Sequence, residues 1–166
     1  MAERKNYILT GEVIEKKLQR LALEVVEQNI EEKEITLVGI APYGVVMAKI
    51  VQELIQKWSS ISTKLITLKI DKVTPGEVEL DASLDIKGKV VVVVDDVTNS
   101  GKTLLYSMKP FLEHHPKKVQ IMVLVERSHK AYPVSADYKG ISLATTLQEH
   151  IFVEVEGDKI TGAYMK

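Results

Sequence analysis

Cysteine is absent from the 166-residue chain, and its absence excludes several kinds of site. Without thiols the protein has no disulfide, no thiolate metal ligand and no cysteine nucleophile. Aromatic residues make up only 5% of the chain, and 22 Lys and Arg are balanced by 23 Asp and Glu, which gives a net charge of −1. A near-neutral chain has no global attraction for nucleic acid or anionic lipid.

Long hydrophobic runs are also missing. No segment approaches the roughly 20 apolar residues that a membrane-spanning helix needs, and the N-terminal stretch MAERKNYILT lacks the apolar centre of a signal peptide. We therefore expect a cytoplasmic protein with no membrane partner. The length and the 45% hydrophobic content are typical of one globular domain, residues 1–166, that can bury a sizeable core.

The pattern that is present is an alternation of strands and helices. Apolar, β-branched runs predict buried strands at residues 35–40, 64–70, 90–94 and 119–125. Apolar residues at helical spacing predict a helix that begins after Thr10, a second over 45–56 and a third over 100–114. Strands that are apolar throughout and alternate with helices predict an α/β fold, a twisted parallel sheet with helices on both faces.

The stretch VVVVVDDVTNSGKT, residues 90–103, contains the strongest candidate site. In parallel sheets, ligands bind beyond the carboxyl ends of the strands, and this is where Asp95 and Asp96 follow the valines. A Walker A loop that cradles ATP would need glycine at the position of Asp96, so a P-loop is excluded. A phosphate could instead bind the N–H groups of residues 98–103 and the hydroxyls of Ser100 and Thr103 at a helix N-terminus.

The twin acids suggest what accompanies that phosphate. Asp95 and Asp96 could accept hydrogen bonds from the 2′- and 3′-hydroxyls of a ribose, directly or through water bound to Mg²⁺. A ribose 5-phosphate uses both halves of the stretch. The simpler alternative is that the acids only end a strand and Ser100 only caps a helix, but their contiguous arrangement favours a functional site.

Three stretches extend this interpretation to a family. The stretch VVVVDDVTNSGKT resembles the PRPP-binding signature of the type I phosphoribosyltransferases. The stretches LVERSHKAYPVSADYKG, residues 124–140, and LVGIAPYGVVMAKIV, residues 37–51, resemble one subgroup. That subgroup is the bacterial pyrimidine operon regulators, which bind RNA and also have uracil phosphoribosyltransferase activity.

The resemblance implies a single domain with a small C-terminal hood formed by about residues 126–166. It implies Mg²⁺-dependent transfer of phosphoribosyl from PRPP to a nucleobase, with uracil as the leading candidate. The alternative that it leaves open is a nucleotide-sensing regulator that binds RNA and has weak or no catalysis. A homodimer or higher homo-oligomer is the expected assembly.

The resemblance also assigns roles to individual residues. Asp95 and Asp96 would be the catalytic pair, binding the ribose hydroxyls and, indirectly, Mg²⁺. The 5′-phosphate would be held by Thr98, Asn99, Ser100, Gly101, Lys102 and Thr103. The Lys102 ammonium would point away from the phosphate or contribute only diffuse charge. The pyrophosphate loop would comprise Ala41, Pro42, Tyr43 and Gly44. The nucleobase would contact Arg127, Tyr138 and Lys139.

Three departures from the family pattern bear on activity. Tyr43 stands where the pyrimidine regulators carry a basic residue, and one lost charge-assisted contact is worth roughly 1.5–3 kcal/mol. The lid expected within residues 69–89 is short, with Lys72 and Thr74 as its obvious polar side chains. Asn99 replaces the acid of purine-using relatives, which disfavours a hypoxanthine–guanine enzyme. The first two departures favour the regulator, whereas the near-neutral charge does not.

Two of the nucleobase contacts have simpler explanations. Tyr138 could stack on a base or could pack in a terminal β-ribbon, and the sequence does not separate the two. Arg127 could contact the base or form a surface ion pair with its neighbour Glu126. No aromatic-interleaved pattern typical of RNA-binding modules is present.

Overall fold

The structure, a computed structural model, describes residues 5–166. Within this range the strands are Asn6–Thr10 (β1), Glu34–Ile40 (β2), Ser62–Ile70 (β3), Val78–Leu80 (β4), Val90–Thr98 (β5), Lys118–Arg127 (β6), Tyr138–Leu143 (β7), Ile151–Glu156 (β8) and Lys159–Met165 (β9). The helices are Gly11–Gln28 (α1), Tyr43–Trp58 (α2), Lys102–Ser107 (α3) and Lys109–Leu112 (α4). No helix in this range is long and apolar enough to cross a membrane.

The main sheet has the strand order β4-β3-β2-β5-β6-β7. The pairs from β3 through β7 are all parallel, and β4 adds a short antiparallel edge to β3. Because β5 is central, its carboxyl end lies between the ends of β2 and β6. The predicted α/β class with a mostly parallel sheet is confirmed.

The valine run of β5 is explained by burial on both faces of the sheet. Val92 and Val94 belong to the core that α1 and α2 cover, whereas Val91 and Val93 belong to the opposite core with Phe111. Since side chains alternate along a strand, a strand covered on both faces needs apolar residues at every position. The β-branched valines suit that pleated surface.

The hood is a separate three-stranded sheet with the order β1-β9-β8. All its pairs are antiparallel, so the N-terminal strand β1 completes a sheet whose other two strands are C-terminal. The expectation that residues 126–166 alone form the hood was wrong in two respects. β1 belongs to the hood, and β7 belongs to the main sheet, because it pairs with β6.

The helix predicted over residues 100–114 is also wrong in detail. Two short helices, α3 and α4, occupy this segment, and Pro110 lies in the first turn of α4. Proline has no N–H and its ring clashes with the carbonyl four residues earlier, so Pro110 cannot lie in the interior of one continuous helix. The segment therefore divides into α3 and α4, with Pro110 in the first turn of α4. Leu112, expected on the apolar face, is 74% exposed at the end of this segment.

We predict that the close contact between α2 and β5 depends on Gly44. A Cβ at Gly44 would lie 2.4 Å from the carbonyl oxygen of Val94 and 3.1 Å from the Cα of Asp95, and neither backbone atom can rotate away. The variant Gly44→Ala should therefore lower the free energy of unfolding by about 1–3 kcal/mol, the usual effect of overpacking. Thermal denaturation followed by circular dichroism measures this.

The matched control for that prediction is Gly76→Ala. A Cβ at Gly76 has no heavy atom within 4 Å and the backbone there is not left-handed. Its melting temperature should equal that of the parent protein. Equal melting temperatures for both variants would contradict the contact as described.

Candidate active site

Asp95 and Asp96 lie within β5 near its carboxyl end, and both are buried, with 1% and 8% exposure. The Asp96 N–H donates a 3.0 Å hydrogen bond to Asp95 Oδ1. Burial raises the pKa of Asp95 well above its usual range, and the charge of Asp96 raises it further. Two adjacent buried carboxyls are costly to ionise unless a cation or a set of hydroxyl donors accompanies them.

Lys72 supplies that cation in this structure. Its Nζ lies 3.2 Å from Asp95 Oδ1 and 3.9 Å from Asp96 Oδ1. The side chain of Lys72 is 39% exposed, whereas that of Asp95 is 2% exposed. The ammonium therefore approaches the acids from the solvent side and opposes the rise in the pKa of Asp95 that burial causes.

The turn after β5 has the form of an anion cradle. Gly101 has a φ of 83°, a left-handed conformation that suits glycine, and it lies immediately before α3. Ser100 Oγ accepts a hydrogen bond of 3.2 Å from the Lys102 N–H. The buried Oγ1 of Thr98 has no hydrogen-bond partner within residues 5–166, although it lines the same cavity. Because α3 has only six residues, its helix dipole is weak. Anion binding at this turn would therefore depend mainly on local N–H and hydroxyl groups.

The side chain of Lys102 is engaged outside the cradle. Its Nζ donates to the carbonyl oxygen of Val73 at 3.3 Å. This contact ties the phosphate turn to the loop that follows β3. Asp71 shapes the same loop, because its carboxylate accepts from the N–H groups of Val73 and Thr74 at 2.8 and 3.1 Å.

A second loop, residues 128–137, supports the cradle from behind. The carbonyl oxygen of Ser100 accepts from the N–H groups of Ala131 and Tyr132 at 3.0 and 3.1 Å. The buried carboxylate of Glu126 holds this loop, since it accepts from the Ala136 N–H at 2.8 Å and pairs with Lys130 at 3.1 Å. Burial alone would raise the pKa of Glu126, but these donors outweigh it and lower the pKa.

The turn after β2 lies beside the acid pair. Pro42 and Tyr43 line the cavity that contains Asp95 and Asp96, and the Ala41–Pro42 peptide bond is cis. Tyr43 is 39% exposed. Gly44 packs its Cα directly against the β5 backbone, which brings the whole turn close to the acids. Of the turn residues, Pro42 and Tyr43 therefore face the site, and Gly44 sets its position.

The hood forms the far wall of the cavity, whose volume is about 520 Å³. His150, Ile151, Phe152 and Val153 line it, and sequence reasoning did not identify any of them. Asn99 joins the hood to the turn, because its side chain exchanges hydrogen bonds of 3.4 and 3.3 Å with the backbone of Ile151. The four lining residues of the hood begin or precede β8, and nothing in the local sequence indicates that this strand returns to face β5.

Arg127 lies at the end of β6 and reaches the cavity from the side opposite Lys72. It is 7% exposed, donates to the Thr146 carbonyl at 2.9 Å, and has no carboxylate within ion-pair distance among the residues described. Its buried Nε has no hydrogen-bond partner in that set. The alternative of a surface ion pair with Glu126 is therefore wrong: Glu126 pairs with Lys130 and Lys139.

Two residues predicted at the nucleobase end lie elsewhere. Tyr138 is fully buried, and its hydroxyl donates to Gln120 Oε1 at 2.9 Å, so a base cannot stack on it. Lys139 directs its ammonium to Glu126 and offers its carbonyl to Arg20. Both predictions were wrong because Tyr138 begins β7 in the main sheet instead of belonging to the hood.

The side chains of the site can hold a divalent cation only if a substrate supplies some of the ligands. No group of three or more His, Asp or Glu side chains in the described part of the chain is placed to hold a metal ion. Mg²⁺ is commonly bound by one or two carboxylates together with substrate phosphates. The pair Asp95 and Asp96 meets that description, because its two carboxylates border a cavity with room for a phosphorylated sugar.

Comparison with known proteins agrees with this geometry. A family model described as the phosphoribosyl transferase domain matches residues 6–158. The bifunctional protein PyrR of Macrococcus caseolyticus is 31% identical over 98% of this chain and 99% of its own, and that of Clostridium novyi is 32% identical over 92% of each. The bifunctional protein PyrR of Enterococcus faecalis is 33% identical over 92% of this chain and 90% of its own.

Solved structures share the fold at lower sequence identity. A hypoxanthine phosphoribosyltransferase of Trypanosoma cruzi superposes with a TM-score of 0.78 at 15% identity, covering 97% of each chain. A hypoxanthine-guanine phosphoribosyltransferase of Bacillus anthracis gives 0.71 at 24% identity over 85% of this chain and 84% of that one. Since the family model spans most of the sequence and the relatives match it nearly end to end, the chain belongs to the phosphoribosyltransferase family, in the subgroup of the bacterial pyrimidine operon regulators.

Proposed function

We propose that this phosphoribosyltransferase transfers the phosphoribosyl group of PRPP to uracil. The observation that carries the proposal is that Asp95 and Asp96, the turn after β5 and the guanidinium of Arg127 all line one cavity. Asp95 and Asp96 would accept from the ribose hydroxyls, and the N–H groups of the Ser100–Thr103 turn would hold the 5′-phosphate. Thr98 Oγ1, buried and unpaired among the described residues, would also turn to that phosphate.

The base end supports a pyrimidine with carbonyl groups. A guanidinium only donates hydrogen bonds, so Arg127 would face a carbonyl oxygen and would reject the amino group of cytosine or adenine. Phe152, in place of Tyr138, is the hood aromatic that lines the cavity, and its ring lies 5.5 Å from that of Tyr164 at an interplanar angle of 22°. A nucleobase bound next to the ribose could stack on the Phe152 ring. Asn99 carries an amide that cannot act as a general base, and this amide is hydrogen-bonded to the backbone of Ile151. The residue therefore does not supply the acid of the purine-using relatives.

The reaction needs charge stabilisation at both ends of the bond that breaks. Uracil N1 would bond to the anomeric carbon as the bond from that carbon to pyrophosphate breaks, and the N1 proton would pass to solvent. Positive charge develops on the sugar ring because the old bond is largely broken before the new one has fully formed. The carboxylates of Asp95 and Asp96 lie on the sugar side and favour that charge electrostatically. Mg²⁺, held through Asp95, Asp96 and substrate oxygens, would neutralise the pyrophosphate. A homo-oligomer in the cytoplasm remains our prediction for the protein's assembly and location.

We predict that Asp95→Asn and Asp96→Asn each reduce uracil-dependent pyrophosphate release from PRPP by about 10–100-fold. The reason is that each change removes a charge-assisted hydrogen bond to a ribose hydroxyl, worth roughly 1.5–3 kcal/mol. The measurement is a coupled pyrophosphate assay with Mg²⁺ and each common base. Asp158→Asn, at the exposed β8–β9 turn, is the control and should turn over like the parent. If no base supports turnover by the parent protein, the enzymatic proposal fails.

The same acid pair generates a prediction about stability. A carboxyl whose pKa is raised on folding contributes stability below its unfolded pKa, and that contribution is lost as the pH rises through the folded value. At neutral pH the burial of the Asp95 carboxyl therefore costs the fold stability, and Asp95→Asn, which has no ionisable group, should raise the melting temperature by a few degrees. The advantage should shrink as the pH is lowered toward the ordinary value of 3.8. A variant that melts below the parent at pH 7.5 would contradict this account.

A second function, RNA binding, is implied by the resemblance to the pyrimidine operon regulators, and the relatives are called bifunctional. We predict that the protein binds transcripts of pyrimidine genes, that UMP or PRPP changes the affinity, and that added salt weakens it. Gel-shift titrations at two salt concentrations test this, with an unrelated transcript of equal length as control. Binding that is indifferent to both nucleotides would reject a regulatory role.

A further inference from the structure

The pyrophosphate end of the cavity lacks the basic residue that the family pattern places there. The turn after β2 reads Ala41-Pro42-Tyr43-Gly44 and carries no cation. Pyrophosphate is a multiply charged leaving group, and Mg²⁺ alone leaves part of that charge unmatched. A protein cation near this turn would restore the missing stabilisation.

The cations that line the cavity in residues 5–166 are Lys72, Lys102 and Arg127, along with the titratable His150. Lys102 is bound to the Val73 carbonyl, outside the cradle. Arg127 donates to the Thr146 carbonyl at the hood side. Lys72 is the cation that remains at the end where the acids and the β2 turn meet.

The order of the strands places Lys72 across this turn. Lys72 follows β3, the acids belong to β5, and β2 lies between these two strands. Neighbouring strands are about 4.8 Å apart, so β3 and β5 lie about 10 Å apart, and the loop after β3 together with the Lys72 side chain covers that distance. Lys72 lines the same cavity as Pro42 and Tyr43 of the β2 turn, and this turn is joined to β3 by a 2.8 Å hydrogen bond from the Ala41 N–H to the Leu68 carbonyl.

We propose that Lys72 is the cation that binds the leaving pyrophosphate and replaces the basic residue missing at Tyr43. This inference rests on the proposed function. In this structure the ammonium pairs with Asp95 and Asp96. When ribose hydroxyls and Mg²⁺ occupy the acids, the partly exposed ammonium is released and needs to move only a short way to the pyrophosphate above the β2 turn. The loop that carries it is anchored on both sides, by the Asp71 turn and by the Lys102–Val73 contact.

The experiment compares Lys72→Met, Lys72→Arg and the control Lys49→Met by calorimetry with inorganic pyrophosphate and with UMP, both with Mg²⁺. Lys49 is exposed on α2 and does not line the cavity, so its substitution makes the same charge change elsewhere. We expect Lys72→Met to weaken pyrophosphate binding about tenfold or more, while Lys72→Arg and Lys49→Met stay within about threefold of the parent. UMP, which lacks pyrophosphate, should bind Lys72→Met as tightly as the parent or more tightly.

Two results would overturn the proposal. Unchanged pyrophosphate affinity in Lys72→Met would mean that Lys72 only neutralises the acid pair. Equal losses of UMP and pyrophosphate affinity would mean that the residue only maintains the loop. The proposed function fails separately: a parent that binds pyrophosphate in a Lys72-dependent way yet turns over no base would retain this inference and lose the transferase activity.

Discussion

The burial of two adjacent carboxyls at the end of an all-valine strand is the constraint on which the rest of the site depends. Asp95 and Asp96 have 1% and 8% exposure, and in a medium of low polarity their charges repel each other and lose hydration. The Lys72 ammonium, 3.2 Å from Asp95 Oδ1, partly compensates this cost from one side of the pair. Binding of a sugar and a metal ion as proposed would replace this ammonium with hydroxyl donors and a divalent cation.

The neighbouring loops can be understood as supports for that exchange. Ser100 is held by the N–H groups of Ala131 and Tyr132, and Glu126 holds their loop in turn. Gly44 allows the β2 turn to lie against the β5 backbone. Each contact fixes a backbone segment and leaves side chains free to meet the ligand. Rigid strands thus set the acids, while the loops at their carboxyl ends adapt the site to one substrate.

The departures from the family pattern share a physical logic. Tyr43 stands where the family pattern has a cation, and under our proposal Lys72 supplies one from the adjacent loop after β3. Both residues follow the carboxyl ends of neighbouring strands. A cation on either loop could therefore serve the same part of the cavity. Activity in this chain would then depend on the loop after β3 more than the family signature suggests.

The linear pattern alone predicted the α/β class, the acid pair at the end of a buried strand and the turn that follows it, because strand burial and a turn around one glycine depend on residues close in sequence. It misplaced Tyr138, since whether a β-like piece pairs with β6 or joins the hood depends on partners far away in the chain. It missed Phe152 and the role of β1 for the same reason. Only the tertiary structure decided which side chains face the cavity, because the hood combines β1 with strands about 150 residues later, and no local periodicity encodes that contact.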